Sequence, residues 1–249
     1  MGQRRASRWW SVATVAAIAL VACARNEQSM FIRQVVAPPV AAGSSGCIYT
    51  AEVSQSQLSS GIVDFGLRDT YRAVFLVGNQ MKAQASVEQV RAESSRVLIE
   101  GAEVHVFDAK DKELRAFTRL ATGTIDPGDG STPGYSTVQV DVLDGVSIRE
   151  AAADIKSRTE TRRLIVKVSL FGHSLGGREV ETNVFQFPID VCKGCLVSFA
   201  AAIDDPTIPG ADCKGTATTS TDAIVPCVLG QDQVVSCSSC QGFSVCEPS

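Results

Sequence analysis

"RRLIVKVSLFGHSLGGREVETNVFQFPIDVC" (162–192) contains two apolar–polar alternations separated by a glycine-rich segment. In the first alternation, every second residue from Leu164 to Leu170 is apolar. The second begins near Val180, shifts phase once and runs to Val191. A period of two is typical of β-strands with one buried face. The stretch therefore predicts two strands connected by a turn.

The segment between the alternations contains Gly172-His173-Ser174-Leu175-Gly176. It resembles the G-x-S-x-G motif around the nucleophile of α/β-hydrolases, in which a helix follows the serine and a histidine comes later in the chain. Here the residues after Gly177 alternate like a strand, and the two histidines, His105 and His173, both precede Ser174. We interpret the motif as a turn whose glycines permit positive φ. An envelope serine hydrolase using Ser174 is the alternative.

Four further stretches have strand-like patterns and are separated by turn-forming residues: "YRAVFLVGN" (71–79), "RVLIEGAEVHVFD" (96–108), "LRAFTRLATGTI" (114–125) and "STVQVDVL" (136–143). The first is apolar on both faces, which is typical of a strand buried between layers. The second changes phase at Glu100-Gly101, where we expect a β-bulge.

One helix is predicted among the strands. Ser147 and Glu150 have the spacing of a capping box, and good helix formers continue to about Lys156. The whole pattern predicts a mainly β protein. We expect an antiparallel β-sandwich, immunoglobulin-like in the broad sense, with one crossover helix and a disulfide-rich C-terminal segment.

The N-terminus has the features of a bacterial export signal. Three arginines precede an apolar run over 9–22, which is shorter than the roughly 20 residues of a membrane-spanning helix. The run ends in Leu20-Val21-Ala22-Cys23, which resembles the lipobox of bacterial lipoproteins. The resemblance implies a signal peptide over 1–22, cleavage before Cys23 and attachment of lipid to Cys23. By the same resemblance, Ala24 at the position after the cysteine implies the outer membrane in preference to the inner one.

Composition divides the rest of the chain into three parts. Residues 23–46 contain Pro38-Pro39 and "GSSG" and predict a flexible tether. Residues 47–195 contain the strand patterns and predict the β-sandwich domain. Residues 196–249 are rich in cysteine and turn formers and predict a segment that depends on disulfides. In these respects the chain is similar to cysteine-rich lipoproteins of the bacterial envelope.

Eight cysteines besides Cys23 predict a disulfide framework: Cys47, Cys192, Cys195, Cys213, Cys227, Cys237, Cys240 and Cys246. We hypothesise that Cys47 is bridged to the C-terminal segment. The two C-x-x-C pairs, Cys192/Cys195 and Cys237/Cys240, have two alternative interpretations, a zinc-binding module and a redox motif. Structural disulfides are favoured, because the gap between the pairs is long and no helix is predicted to follow either pair.

Charge and motifs limit the function classes. Without residues 1–22 the chain has 20 basic and 27 acidic side chains, so nucleic acid is a poor partner. Asp126 and Asp129 miss the spacing of a calcium-binding EF-hand loop. We assign no catalytic, cofactor-binding or metal-ligating residue. The expected function is a membrane-anchored binding or structural module of the cell envelope. Its expected partners are membrane lipid, through Cys23, and an envelope protein or polysaccharide.

Overall fold

The structure is a computed structural model that describes residues 29–39, 47–84, 93–199 and 226–246. The predicted signal peptide, Cys23 and Cys213 lie outside these residues. The elements in chain order are β1 (Met30–Val36), β2 (Gln57–Leu58), β3 (Gly61–Asp64), β4 (Tyr71–Asn79), β5 (Val97–Asp108), β6 (Glu113–Ile125), β7 (Gly134–Leu143), α1 (Gly145–Ala152), β8 (Thr161–Ser174), β9 (Glu179–Glu181), β10 (Phe185–Cys192), β11 (Val197–Ser198), β12 (Val235–Ser236) and a 3-10 turn (Cys237–Ser239).

Two sheets form the sandwich. One has the order β2-β1-β4-β7 and is antiparallel throughout; the other has the order β3-β10-β8-β5-β6, with β9 added beside β8. The single parallel pair in the second sheet joins β3 to β10. One continuous apolar core includes residues of both sheets, among them Phe75, Val104 and Val168. The prediction of a mainly β fold with antiparallel sheets, one helix and C-terminal disulfides is confirmed.

Strand β4 occupies the centre of its sheet, and its sequence explains why. Every residue of β4 except Arg72 is buried. Phe75 and Val77 face the core between the sheets. Val74 and Leu76 lie in a second apolar cluster on the opposite face, against Tyr49 and Tyr135. Both faces of the strand are covered, as its two-sided apolar pattern predicts.

The sandwich begins earlier in the chain than predicted. Strand β1 lies inside the predicted tether of 23–46 and pairs antiparallel with β4, with Met30 opposite Asn79. Met30 and Val35 are buried in the core. The tether prediction is therefore wrong over Met30–Val36. The burial of this short strand is decided by β4, a distant partner, and Pro38-Pro39 simply follow its end.

The bulge and the helix were predicted with different success. The register of β5 against both neighbours shifts between Ile99 and Gly101, which confirms the bulge at Glu100-Gly101. The helix ends at Ala152 and not near Lys156. Its N-cap is Asp144, whose side chain accepts a hydrogen bond from the backbone N–H of Ser147. Ser147 is thus the third helical residue, and the predicted capping box is wrong.

The two ends of the sandwich differ. At the first, which we call the entry end, β1 begins at Met30 beside Asn79, and β8 reaches Ser174 opposite Val97. At the other, the helix end, β4 begins beside the end of β7, and α1 follows. Residues 226–246 meet the sandwich at the helix end. Among the described residues, no helix is long and apolar enough to cross a membrane.

Candidate functional site

The G-x-S-x-G segment is a turn between two strands. Strand β8 continues through Ser174, and β9 begins at Glu179 and pairs back onto β8. The Ser174 side chain is buried, and its hydroxyl accepts a hydrogen bond from the backbone N–H of Arg178 at 3.1 Å. Gly177 has φ +82, a conformation that glycine adopts without strain. The predicted turn is confirmed, and a strand stands where a hydrolase would have its helix.

Neither histidine is placed to activate Ser174. His173 directly precedes Ser174 on the same strand, so the two side chains point to opposite faces of the sheet. On its own face, Nδ1 of His173 lies 2.9 Å from Oε1 of Glu100. His105 lies opposite Lys167 on β8, seven residues before Ser174, which corresponds to roughly 23 Å along the strand. Its Nδ1 lies 2.7 Å from Oε1 of Glu113. Each imidazole thus has a carboxylate partner away from the serine.

Disulfides join cysteines within and across the sandwich. Cys47 is bonded to Cys227, Cys192 to Cys195 and Cys240 to Cys246; Cys237 is disulfide-bonded as well. The first of these confirms the hypothesis that Cys47 is bridged to the C-terminal segment. The four C-x-x-C sulfurs are all in disulfides, which contradicts a zinc site made of four thiolates.

Asp64 lies beside the Cys192–Cys195 disulfide. Its carboxylate oxygen and the two sulfur atoms are within 4.8 Å of one another. The carboxylate is fully buried and accepts three backbone N–H groups, from Gly66 and Gly194 at Oδ1 and from Leu196 at Oδ2. The sulfurs are bonded to each other, and the carboxylate already accepts three backbone donors. Asp64 therefore fixes the loop that follows β10.

A second carboxylate, that of the partly buried Asp232, holds residues 226–233 against the sandwich. Its Oδ1 accepts the backbone N–H of Ile62 at 2.9 Å, and its Oδ2 accepts the Tyr71 hydroxyl at 2.8 Å and the Gln231 amide at 3.1 Å. Burial raises the pKa of Asp232, although these hydrogen bonds act in the opposite direction. Burial and the neighbouring Asp232 also raise the pKa of Tyr71 well above its usual value.

Gln231 reinforces this attachment, because its side-chain amide hydrogen-bonds to the backbone of β4 as a neighbouring strand would. Its side-chain oxygen accepts the backbone N–H of Arg72 at 2.9 Å, and its side-chain nitrogen donates to the Arg72 carbonyl at 2.8 Å. Its own backbone forms an isolated bridge to Val63 on β3. Sequence analysis missed Gln231 and Asp232. Their positions in a turn-rich stretch give no signal, because their partners lie about 160 residues earlier.

A cavity of about 530 Å³ opens at the helix end, between α1, the β5–β6 turn and the start of β8. It is lined by charges of both signs together with Leu114, Ala151 and Leu164: Asp108, Lys110, Glu150, Asp154, Arg162 and Arg163. Arg163 is held by two hydrogen bonds to Asp190 of β10, at 2.9 and 2.7 Å. Mixed charges on a concave surface suit polar ligands that carry both donors and acceptors.

The loop between β6 and β7 (126–133), which contains Asp126 and Asp129, lies at the entry end and is held by its own hydrogen bonds. Oδ1 of Asp129 accepts the backbone N–H of Thr132 and both the hydroxyl and the backbone N–H of Ser131, each at 2.7 Å. These hydrogen bonds, with that from Thr132 the largest contribution, lower the pKa of Asp129 to about 2. Asp126 pairs with Arg96 at 2.6 Å. The carboxylates of Asp126 and Asp129 thus both have partners within the chain.

Comparison with known proteins identifies no family for this chain. No family model matches the chain, and no curated protein is significantly similar in sequence. The solved structure of a putative late embryogenesis abundant protein aligns with 52% of this chain and 70% of that chain, at 11% sequence identity and a TM-score of 0.28. A likeness of that size carries no argument about function.

Proposed function

We propose that this protein is a lipid-anchored binding module of the bacterial cell envelope, stabilised by disulfides. The supporting observation is the set of disulfides at the helix end, including Cys47–Cys227, which spans 180 residues. Disulfides of this kind persist in oxidising compartments outside the cytoplasm. The proposal thus joins an extracytoplasmic location to the lipobox of residues 20–23.

The position of β1 limits how far the domain can stand from the bilayer. Six residues, 24–29, separate Cys23 from Met30, the first residue of β1, so the connection has seven Cα–Cα steps. An extended residue spans at most about 3.6 Å, so the connection reaches about 25 Å at most. Lipid on Cys23 would therefore hold the entry end, with the Ser174 turn, close to the headgroups. Of the two bacterial membranes, we propose the outer one.

This orientation leaves the helix end facing away from the membrane. The 530 Å³ cavity and residues 226–246 lie there. We propose this end as the binding surface for an envelope protein or polysaccharide, since both offer the polar groups that the cavity's mixed charges would bind. The excess of acidic side chains disfavours nucleic acid.

Membrane fractionation tests the anchor. The wild-type chain should sediment with membranes and extract only with detergent. Cys23→Ser should appear in the soluble fraction or remain uncleaved, with the domain still folded. Fractionation of wild type as a soluble protein would refute the anchor.

Photo-crosslinking tests the orientation. A benzophenone amino acid at Leu175, which is 50% exposed at the entry end, should crosslink to lipid in intact cells. The same probe at Phe243, which is 37% exposed in the C-terminal segment, should not. Equal lipid labelling at both positions would refute the orientation but not the anchor.

A further inference from the structure

The Cys192–Cys195 disulfide closes a very short loop. Its cysteines are three positions apart in the chain, whereas those of Cys47–Cys227 are 180 apart. The stabilisation that a disulfide gives through loop closure grows with the length of the loop. The short bridge therefore contributes little to the stability of the fold, and it is the easier of the two to open at equilibrium.

The two cysteines of this bridge differ in exposure. Cys192 is fully buried, whereas Cys195 is partly exposed. In the other short disulfide of the described residues, Cys240 and Cys246 are both buried. Accessible disulfides are the ones that exchange with other thiols. Of these two short bridges, Cys192–Cys195 is therefore the one open to attack, and Cys195 carries the sulfur that is attacked.

The backbone holds both cysteines in place independently of the disulfide. Cys192 is the last residue of β10, which pairs with β8 on one side and β3 on the other. On either side of Cys195, the backbone N–H groups of Gly194 and Leu196 donate to the Asp64 carboxylate at 2.7 and 3.0 Å. Reduction of the disulfide removes none of these hydrogen bonds. The two thiols would stay adjacent, so the bridge can open and close without a change of fold.

Two basic side chains flank the C-x-x-C loop. Lys193 lies within the loop and is exposed, and the side chain of Arg158 packs against Gly194. Nearby positive charge favours the thiolate form of a cysteine, which is the nucleophile in thiol–disulfide exchange. The Asp64 carboxylate also lies beside the sulfurs, but its negative charge is compensated by the three backbone N–H groups that it accepts.

We propose that Cys192–Cys195 is a thiol–disulfide exchange site that oxidises a protein dithiol. A thiolate of the partner attacks Sγ of Cys195, the bond between the two sulfurs breaks, and the electron pair passes to Sγ of Cys192, which takes up a proton. The partner's second thiolate then attacks the partner's own sulfur in this mixed disulfide and releases Cys195 as a thiolate. The partner's dithiol becomes a disulfide, and the Cys192–Cys195 disulfide becomes a dithiol, a transfer of two electrons. This activity is additional to the proposed binding role and does not depend on the lipid anchor.

Equilibration of the full-length protein with mixtures of reduced and oxidised dithiothreitol tests the lability of the bridge. Alkylation followed by peptide mass spectrometry reports the redox state of each cysteine pair. Cys192–Cys195 should open at a ratio of reduced to oxidised reagent roughly tenfold or more below that for Cys47–Cys227, and circular dichroism should show an unchanged strand content. Cys240–Cys246 is the matched control, because its cysteines are also close in the chain but are buried. Opening of Cys192–Cys195 together with or after either of the other bridges would overturn the proposal.

Oxidation of a dithiol peptide tests the reaction itself. The probe is a synthetic peptide with a reduced C-x-x-C pair, mixed with an equimolar amount of protein in the absence of oxygen. Wild type should convert the peptide to its disulfide and become reduced at Cys192 and Cys195. The double variant Cys192→Ser/Cys195→Ser is the control and should leave the peptide reduced. A peptide that stays reduced with wild type, or is oxidised equally by the double variant, would overturn the proposal.

The single variants test which sulfur is attacked. Cys192→Ser leaves Cys195 without a second thiol to resolve a mixed disulfide, so oxidised glutathione should form a stable adduct at Cys195. Cys195→Ser leaves only the buried Cys192, which should react far more slowly. Circular dichroism of both variants confirms folding, and intact-mass spectrometry follows the adduct. Adducts that form at equal rates in the two variants would overturn the assignment of Cys195.

Discussion

The Tyr71 hydroxyl donates a 2.8 Å hydrogen bond to the partly buried carboxylate of Asp232, which lies 161 residues later in the chain. This contact joins the first residue of the central strand β4 to the C-terminal segment. It also places a carboxylate against the core, where the free-energy cost of removing the carboxylate from water depends on the donors that surround it.

Tyr71→Phe should therefore lower the free energy of unfolding by about 1–3 kcal/mol, because Oδ2 of the partly buried Asp232 loses one of its two donors. Urea denaturation measures the change. Tyr135→Phe is the control, since that hydroxyl makes only an exposed 3.5 Å contact with Arg33. A Tyr71→Phe protein as stable as the control would show that the hydrogen bond contributes nothing.

Asp232 also predicts a pH dependence. Burial raises its pKa in the folded state, so the folded chain binds this proton more tightly than the unfolded chain. Its contribution to stability is present below the unfolded pKa of about 4 and is lost as pH rises through the folded value. The unfolding free energy of wild type minus that of Asp232→Asn should fall as pH rises from about 4. Urea unfolding of both proteins across this range measures the difference. A difference that is constant or grows with pH would contradict the assignment.

The helix N-cap gives a third prediction. Asp144 accepts the backbone N–H and the hydroxyl of Ser147 at 2.9 and 2.8 Å, and it pairs with Arg115 at 2.9 Å. Asp144→Ala should cost about 1–2 kcal/mol of stability. Ser147→Ala should cost less, because the capping bond to its backbone remains. The reverse order in thermal or urea unfolding would restore Ser147 as the cap.

Ser174 should be chemically inert. Its hydroxyl is buried and accepts the Arg178 N–H, and no histidine lies behind it. We expect that a fluorophosphonate probe labels neither wild type nor Ser174→Ala. Labelling of wild type that disappears in Ser174→Ala would re-establish the hydrolase alternative.

The Cys47–Cys227 disulfide should contribute strongly to stability. Replacing both cysteines with serine removes a link across 180 residues. We expect a loss of about 3–5 kcal/mol, since long loops gain the most from closure. Native-state hydrogen exchange should show residues 226–246 losing protection first. Retained protection there would mean that Gln231 and Asp232 hold the segment without the disulfide.

Whether a feature could be predicted from the sequence depends on how far apart in the chain its interacting residues lie. Strands β4–β8 were predictable because their alternation is local and each buries one or both faces over many residues. Strand β1 was missed because its seven residues acquire a partner only through β4. Asp232 could not be predicted for a similar reason: its burial is decided by Ile62 and Tyr71, far away in the chain.

The pairing of Cys47 with Cys227 also affects how the molecule is made. In a chain exported N-terminus first, Cys47 reaches the oxidising side long before Cys227, and Cys192 and Cys195 arrive between them. Oxidation in order of arrival would join Cys47 to Cys192, so the native pair requires either a delay or reshuffling by thiol exchange. If this chain is exported in that way, capping of β3 by Gln231 and Asp232 is among the last steps of biogenesis, after nearly the whole chain has crossed.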